Sequence, residues 1–579
     1  MTPLISTATQ RNWKKLNVRS AENKLTKRAN KRCSVKKIIP AEYFSDLKNI
    51  PVLETFVRLA EQKKYPFNRI LFSVGIKQLQ QAGLIDETFF PCKKNAASLL
   101  SEYDLKPIKE ILDFPFPDNE NDLLGLIYQC LRSEGEKNIT GAYYTPQKIV
   151  SRMAGGFGGA ENSLILDPCC GSGAFLTGFD DHDPSCLFGV DIDPLAVMIA
   201  KFNMILRFKD KDFTPQIFCF DFLNDSALFA CENERRIKAL RFDLIITNPP
   251  WGAAAGKDSD SFSDFLKKSF RLLAPGGRLK FLLPSAFLNV KSHRGVRKFL
   301  IDNYRIEKIT VYPADFTGVV TPYVSLDASN EPPAESYLVQ TGKTAYPSSV
   351  CAVRNSEHKI FGLLTRRDEQ ILEKASALKA FGLDQSVWGL GIVTGDNRNK
   401  LRDVCEPGAE PIYTGKEIRP YFLTPAKKFL HYDRSQLQQT AKDEIYRAPE
   451  KLVYKFISDR PVFAYDDTGA LFLNSANILI PNIPGMSIKT VLGFLNAELF
   501  QFIYMKSFGD IKILKSNLTL LPFPRIPLET DAFLNTEVDR LIRDRQTYSK
   551  TIQDFIYDFY KITPDQRQYI QEVLNGTAD

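Results

Sequence analysis

Short apolar runs alternate with stretches of helical periodicity between residue 164 and about residue 345, and this alternation is the feature that most constrains the fold. The runs read SLILDP, CLFGVDI, QIFCFDF, FDLIITNP, GRLKFLLP and RIEKITVYP. Strands that alternate with helices predict a mostly parallel sheet, because each parallel connection needs a long crossover. The sequence therefore predicts an α/β fold with a Rossmann-like sheet in this region.

The regions on either side of this segment have different patterns of apolar residues. A chain of 579 residues is also too long for one hydrophobic core, so we expect several domains. Residues 41–135 and roughly the last 50 residues carry apolar positions at helical spacing. From about residue 385 to residue 525 the pattern is mixed, with loops rich in Gly and Pro and with short strands. We predict a basic, flexible arm at 1–40, a helical region at 41–135, an α/β domain at 136–355, a mixed α+β domain at 375–525 and a helical segment at 526–579.

The positive charge of the chain is concentrated at its start. Residues 1–37 hold eleven Lys and Arg and one acid, Glu22, for a net charge of +10, although the whole chain carries only +8. A basic arm of this kind suits a polyanion such as DNA or a ribosome. A solvated tail and a transit peptide are the alternatives, and the arm lacks the amphipathic period of the latter.

Composition excludes several other classes of protein. No apolar run approaches the roughly 18 residues of a membrane span, so we expect no membrane partner. The ten cysteines are scattered and form no CxxC pair, which favours free thiols and a cytoplasmic protein. The four histidines show no paired spacing, so we expect no metal site.

Three consecutive strand ends carry a carboxylate. The first leads into CCGSG, where Gly171 and Gly173 allow the backbone to approach a ligand closely. The second ends at Asp191, in register to accept hydrogen bonds from two ribose hydroxyls. The third offers Asp221 to an exocyclic amine and Phe222 as an aromatic wall. Open parallel sheets bind ligands at this edge, so the pattern indicates a nucleoside site.

The expected ligand is a nucleoside without a pyrophosphate. Neither a GxxxxGK[ST] loop nor a full GxGxxG is present, so ATP and NAD fit less well than S-adenosylmethionine. Asp167 is a candidate for holding the methionine end of that cofactor, with capping of the following turn as the alternative. The alternative for all these acids is that they cap helices. Three carboxylates at consecutive strand ends favour a binding site instead.

The fourth strand ends in the rigid corner Asn248-Pro249-Pro250-Trp251. Two prolines fix the backbone, so the Asn248 side-chain oxygen and the Pro249 carbonyl can act as two preorganised acceptors for an amine. Such acceptors direct the nitrogen lone pair of adenine or cytosine at a sulfonium methyl group, and positioning then supplies much of the rate. Trp251 offers a face on which the base can stack.

A base in a duplex cannot reach this corner unless it is flipped out of the helix. Amine methylation of this kind needs no cysteine nucleophile. Cys169 and Cys170 lie in the glycine loop, where small buried residues are ordinary, so methylation of carbon 5 of cytosine is disfavoured.

Taken in order, these motifs resemble those of gamma-class DNA adenine-N6 methyltransferases of the TaqI-like group, from type II restriction–modification systems. The matching stretches are TGAYYTP (140–146) for motif X, LDPCCGSGAFL for motif I, Asp191 for motif II, Asp221-Phe222 for motif III, NPPW for motif IV, GGRLKFLLPSAFL (276–288) for motif VI and YPADFTGVVTP (312–322) for motif VIII. Trp251 stands where the family more usually has Tyr or Phe.

The resemblance implies a class I S-adenosylmethionine-dependent methyltransferase fold for residues 136–355, with S-adenosylmethionine as cofactor and double-stranded DNA as partner. Motif X closes over the methionine part of the cofactor in this family, which assigns Tyr144 and Thr145 to cofactor binding. Motif VIII makes Phe316 the second aromatic against the flipped base, with a core Phe at a strand end as the alternative. A separate cognate restriction endonuclease is a further partner that the family suggests.

The second half of the chain resembles the C-terminal specificity domain of the same family. The matching stretches are WGLGIVTGDN (388–397), YTGKEIRPYF (413–422), FLNSANILIP (472–481) and FGDIKILKSNLTLLPFPRIP (508–527). We therefore interpret residues 375–525 as the domain that recognises the DNA target. Candidate phosphate contacts within it are Lys416, Arg419, Lys512 and Lys515, with a solvated surface as the alternative.

Four other functions stay open from the sequence. Asn-Pro-Pro-aromatic corners also occur in enzymes that methylate ribosomal RNA amines or a glutamine amide of a release factor. A catalytically silent DNA-binding subunit would keep the fold alone. A fused restriction–modification enzyme would need a nuclease within residues 1–110, where we find no convincing strand-borne Asp followed by a Glu-x-Lys pair. Cytosine-N4 methylation would use the same corner.

Overall fold

The computed structural model describes residues 44–118, 120–132, 145–224, 232–251, 261–312, 323–350, 353, 363–508 and 512–576. The described residues up to Val353 form one compact unit, and those from Leu363 onward form a second. The predicted ranges 41–135 and 136–355 thus fall in unit 1, and 375–525 and 526–579 in unit 2. The predictions for the arm at 1–40, for Tyr144 and for Phe316 concern residues outside the described ranges.

Unit 1 is built on a nine-stranded sheet in the order β3-β2-β1-β4-β5-β7-β6-β8-β9. Its strands are β1 (Ile165–Asp167), β2 (Leu187–Asp191), β3 (Gln216–Cys219), β4 (Phe242–Thr247), β5 (Leu273–Pro284), β6 (Arg305–Tyr312), β7 (Tyr323–Ser329), β8 (Ser336–Thr341) and β9 (Thr344–Ser349). The five strands β3, β2, β1, β4 and β5 run parallel to one another. Strand β7 is antiparallel to both of its neighbours, β5 and β6. The mostly parallel α/β sheet predicted from the sequence is confirmed.

The chain reverses direction across the sheet at β1, which pairs with β2 on one side and β4 on the other. This is the topological switch point, where ligands bind at the carboxyl ends of the strands. The carboxyl ends of β1, β2 and β4 are therefore neighbours, although the motifs that follow them are up to about 80 residues apart.

Helices flank this sheet and precede it. Their bounds are Ile50–Lys63, Phe67–Gln81, Lys94–Ser101, Lys109–Leu112, Leu123–Leu131, Gln147–Ala154, Pro194–Arg207, Glu232–Ala239, Ser261–Leu272 and Arg294–Asn303, with 3₁₀ turns at Leu47–Asn49, Leu176–Gly178, Pro184–Cys186, Ser285–Leu288 and Lys291–His293. Asp193 caps the Pro194–Arg207 helix by accepting from the Leu195 amide at 2.9 Å, with proline in the first turn.

The helices of residues 50–131 share one hydrophobic core with the sheet. The Phe67–Gln81 helix packs against the Pro194–Arg207 helix, where the Phe72 and Phe202 rings meet edge to face at 6.1 Å. Gly75 makes this approach possible, because a Cβ there would lie 2.6 Å from the Phe202 ring. The helical region before the sheet is therefore part of the body that carries the strand ends.

Unit 2 contains two four-stranded sheets, with strand orders β10-β17-β14-β15 and β11-β13-β12-β16. The strands are β10 (Val387–Leu390), β11 (Leu401–Arg402), β12 (Glu410–Tyr413), β13 (Lys428–Leu430), β14 (Lys451–Lys455), β15 (Phe463–Asp466), β16 (Leu471–Phe472) and β17 (Ala476–Ile480). The first sheet is antiparallel throughout, and alternate side chains of both sheets enter a common apolar core.

Helices complete unit 2. They are Arg366–Ala377, Asn397–Lys400, Asp443–Tyr446, Ile488–Leu495, Glu498–Phe508, Lys515–Leu518, Leu528–Arg543, Lys550–Phe559 and Pro564–Asn575, with a 3₁₀ turn at Arg434–Gln436. The mixed α+β texture and the helical end predicted from the sequence are both observed here. Within the part of the chain that the structure describes, no helix combines the length and the apolar character needed to cross a bilayer.

Candidate active site

The end of β1 is joined to the end of β4 by a buried hydrogen-bond network. The Thr247 hydroxyl donates to Asp167 Oδ1 at 2.6 Å, and the Cys169 amide donates to the same oxygen at 3.2 Å. The Cys169 thiol lies 2.9 Å from the Thr247 hydroxyl and 3.7 Å from the Asn248 carbonyl oxygen. The glycine loop and the Asn-Pro-Pro corner are thus held in fixed register.

The end of β2 is joined to the glycine loop through Asp191. Its carboxylate accepts from the Gly171 amide at 2.9 Å and from the Asp193 amide at 2.9 Å. Gly171 and Gly173 have φ angles of 53° and 82°, a region that other residues rarely adopt. Both glycines predicted from the sequence therefore serve the turn that brings this loop onto Asp191.

The amide of Asn248 is aimed by a contact from the motif X segment. Its Nδ2 donates to the Thr145 hydroxyl at 3.2 Å, which fixes which way the amide oxygen points. The Oδ1 atom is buried and has no hydrogen-bond partner among the residues that the structure describes. A buried acceptor without a donor is costly in a folded protein, so this oxygen marks a place where a ligand donor fits.

Trp251 is half-buried at the far side of the corner. Its indole Nε1 donates to the Leu282 carbonyl oxygen at 3.2 Å, at the end of β5, and the ring packs against the core of unit 1. This hydrogen bond fixes the orientation of the ring, so that a flat apolar surface stands beside Asn248 with little rotational freedom.

The third strand end contributes differently from the first two. Asp221 is exposed, and its carboxylate accepts from the Leu223 amide at 2.9 Å. Phe222 is only 4% exposed and stacks on Phe265, with ring centroids 5.5 Å apart. Asp221 can still reach a ligand from its exposed position, whereas contact between the Phe222 ring face and a nucleoside stays a prediction.

Burial controls the protonation of the site. It raises the pKa of Asp167 to about 7 against the hydrogen bond from Thr247, and it also raises the pKa of Asp191. Burial raises the pKa of the Cys169 and Cys170 thiols well above their usual value. Both thiols stay protonated at neutral pH, which makes them poor nucleophiles.

Several residues at this edge were not identified from the sequence. Asp122 hydrogen-bonds the Ser172 hydroxyl of the glycine loop, and Arg132 forms an ion pair with Asp193 at 3.1 Å. Ile192, which follows β2 between Asp191 and Asp193, is 68% exposed. The Asp-Pro pair at 193–194 was a local signal for a helix cap, but the contacts of residues 122 and 132 depend on distant sequence.

In unit 2, three of the four predicted phosphate contacts lie around the end of β14. Lys416 and Arg419 are exposed on the loop that follows β12, and Lys512 pairs with Ile457 just beyond β14. Lys455, which belongs to no sequence motif, joins them: its pKa is lowered by burial and by the charge of Arg419. We call Lys416, Arg419, Lys455 and Lys512 the basic cluster.

Lys515, the fourth predicted contact, has a different environment. Its ammonium lies 5.7 Å from the centroid of the Trp388 ring, a cation–π contact within unit 2. The guanidinium of Arg419 also has intramolecular partners, because it donates to the carbonyl oxygens of Lys416 at 2.8 Å and Ile418 at 3.1 Å. These bonds hold the loop of the basic cluster in shape.

Two segments of the chain match known protein families. Residues 185–316 match the Eco57I restriction-modification methylase family, and residues 410–527 match the TaqI-like C-terminal specificity domain. The first match covers β2 to the Asn-Pro-Pro corner and beyond, and the second covers the basic cluster.

Individual relatives agree with these matches. The chain is 29% identical over 349 residues to the type II methyltransferase M.VspI of Vibrio sp. (strain 343), covering 55% of this chain and 81% of that protein. It is 26% identical over 280 residues to the type II restriction enzyme and methyltransferase RM.BcgI of Heyndrickxia coagulans, covering 43% of this chain and 42% of that enzyme. Among solved structures, the type IIL restriction-modification enzyme MmeI in complex with DNA has a similar fold, with a TM-score of 0.55, 12% identity and coverage of 95% of this chain and 91% of that one.

Proposed function

We propose that this chain, which is similar to the type II methyltransferase M.VspI over 55% of its length, transfers a methyl group from S-adenosylmethionine to N6 of a flipped-out adenine in double-stranded DNA. It acts as the modification component of a restriction–modification or related defence system. A separate endonuclease is its proposed companion, because the relative M.VspI is named as a type II methyltransferase alone, whereas RM.BcgI is named as both restriction enzyme and methyltransferase.

The observation that carries this proposal is the buried Oδ1 of Asn248, which has no hydrogen-bond partner among the described residues. An adenine amino group supplies the missing donor. Thr145 holds the amide from behind, so Oδ1 needs no reorientation when the base arrives. The proline that follows fixes a second acceptor, its carbonyl oxygen, and the two acceptors draw the amino nitrogen out of conjugation with the ring.

The strand ends beside Asn248 fit S-adenosylmethionine, which supplies an electrophilic methyl group when bound. Asp191 is oriented by two amides and retains lone pairs for ribose hydroxyls. The exposed side chain of Ile192 suits the apolar face of an adenine ring. Gly171 and Gly173 place no side chain at two positions of the loop, and Asp167 supports the loop from the buried side.

The target base is held by aromatic rings in this proposal. Trp251 stacks on one face of the everted adenine, and its fixed indole contributes on the order of 1–3 kcal/mol. Phe316 of the motif VIII stretch is proposed for the second face. Stacking of this kind recovers part of the free energy that is lost when the base leaves the duplex.

DNA binding is assigned to unit 2. The basic cluster groups four cations at the end of β14, and phosphate contacts supply most of the affinity in sequence-independent binding. Lys515 is proposed as a further contact from its own position over Trp388.

Methyl transfer from tritiated S-adenosylmethionine tests the proposal. The purified chain is incubated in parallel with unmethylated genomic DNA, ribosomal RNA and a release factor, and labelled DNA is digested to nucleosides and separated. We expect label in N6-methyladenine alone. Label in N4-methylcytosine would reassign the base, and label only in RNA or protein would refute the DNA substrate. Cleavage of DNA by the same preparation with magnesium would show a fused nuclease.

A further inference from the structure

One helix outside the sheet contacts the loops that follow both β1 and β2. It is the Leu123–Leu131 helix, and we call it, with its flanking residues Asp122 and Arg132, the supporting helix. Its side chains belong to the core of unit 1, and each of its ends reaches a different strand-end loop. Neither family match extends to these residues, which precede position 185.

The first end of the supporting helix holds the glycine loop. The carboxylate of the half-buried Asp122 accepts from the Ser172 hydroxyl at 2.5 Å and from the Asn203 amide nitrogen at 2.8 Å. It also caps its own helix through the Gly125 amide at 2.8 Å. Asn203 in turn donates to the Ser172 carbonyl oxygen at 2.9 Å, so Ser172 is held on both its side chain and its backbone.

Gly125 makes this inward turn of Asp122 possible. A Cβ at position 125 would lie 2.3 Å from the Asp122 carboxylate, closer than any real contact. The capping carboxylate can therefore fold over the helix end and face Ser172 only when position 125 has no side chain.

The other end of the supporting helix holds the loop after β2. The Tyr128 hydroxyl donates to Asp193 Oδ2, and the Arg132 guanidinium pairs with the same oxygen at 3.1 Å. The Arg132 guanidinium also lies 4.7 Å from the centroid of the Tyr128 ring, which keeps the two groups together. The Asp193 amide then donates to Asp191 Oδ1, so the two contacts act on the carboxylate proposed to bind ribose.

We infer that Asp122, Tyr128 and Arg132 are positioning residues that hold the two cofactor loops at their binding separation. This inference rests on the proposed function, because it assigns these loops to S-adenosylmethionine. The contacts order the loops before the cofactor binds. Binding therefore costs little conformational entropy in these loops. Loss of a contact leaves the fold intact and lowers cofactor affinity, because the loops must be ordered on binding.

Calorimetric titration with S-adenosylhomocysteine tests the inference without knowledge of the DNA target. The variants are Tyr128→Phe, which removes one oxygen atom, together with Arg132→Gln and Asp122→Asn. We expect each to raise the Kd about tenfold, the effect of one hydrogen bond to a charged group. Arg132→Lys keeps the positive charge beside Asp193 but loses the planar guanidinium over the Tyr128 ring, so its Kd should lie between the values of the unmodified chain and of Arg132→Gln.

Lys63→Gln is the matched control, because Lys63 forms an exposed ion pair with Glu110 in the same helical region and touches neither loop. It should leave the Kd unchanged. A lower melting temperature with an unchanged Kd in Tyr128→Phe and Arg132→Gln would overturn the inference and leave the proposed function standing. An unmodified chain that binds no S-adenosylhomocysteine would refute the proposed function and the inference together.

Discussion

At the scale of single residues, the two polar atoms of the Asn248 side chain differ in their hydrogen bonding. The amide nitrogen donates to the Thr145 hydroxyl, and the buried oxygen has no donor among the described residues. Asn248→Ala should therefore lower the rate of methyl transfer about a hundredfold to a thousandfold, as loss of one preorganised polar contact does. The Kd for S-adenosylhomocysteine should change little, and the two quantities are measured on the same preparation.

The control for this variant is Asn303→Ala, an exposed asparagine whose amide caps the end of its own helix at Phe299. It should keep full activity. Turnover close to that of the unmodified chain in Asn248→Ala would remove Asn248 from the catalytic role.

Asp167 gives a second residue-scale prediction, for stability against pH. Its folded pKa of about 7 exceeds the value in the unfolded chain, so the folded state retains a proton that the unfolded state has released. Its contribution is complete below about pH 4 and is lost as the pH rises towards 7. Relative to Asp167→Asn, the unfolding free energy of the unmodified chain should fall by about 3 kcal/mol between pH 5 and pH 8.

Urea denaturation of the two proteins at several pH values measures this difference. Asparagine is the suitable reference, because it carries no charge and keeps an oxygen acceptor for Thr247 and Cys169. Parallel pH profiles for the two proteins would show that Asp167 is ionised in the folded chain.

At the scale of secondary-structure elements, the end of β14 and the loop after β12 bring cations from three separate stretches together. Each phosphate contact contributes about 0.9 to the slope of log K against log salt. Lys416→Gln and Lys455→Gln should each reduce that slope by about 1 and weaken binding to all DNA sequences alike. Binding is measured by fluorescence anisotropy over a range of salt concentrations.

Lys550→Gln serves as the control for the basic cluster, because Lys550 pairs with Asp554 on an exposed helix face elsewhere in unit 2. Its slope should match that of the unmodified chain. An equal slope in Lys416→Gln and Lys455→Gln would place the phosphate contacts elsewhere.

At the scale of the whole molecule, every described residue proposed to hold the cofactor belongs to unit 1, and the basic cluster belongs to unit 2. A ligand stabilises the part that binds it. At a concentration of about 100 times Kd, S-adenosylhomocysteine should slow amide exchange up to about a hundredfold in the loops after β1, β2 and β4. Exchange in β14, β15 and β17 should stay unchanged. Protection in the strands of unit 2 alone would contradict the assignment.

The sequence alone determined the type of fold and the kinds of side chain that stand at the strand ends. The alternation of strands and helices predicted the mostly parallel sheet, and the order of motifs predicted a family resemblance that the two family matches confirm. These features are local: a strand period, a glycine that adopts positive φ and a double proline are each set within a few residues.

The tertiary structure alone decided which groups meet. Thr247 lies 80 residues from Asp167, and Asp122 lies 50 residues from Ser172, yet each pair shares a hydrogen bond. Lys455 carries no motif of its own and joins the basic cluster only because β14 ends beside the loop of Arg419. Burial, which raises the pKa of Asp167 and encloses the Asn248 oxygen, arises from packing between distant segments, and no local pattern of residues encodes it.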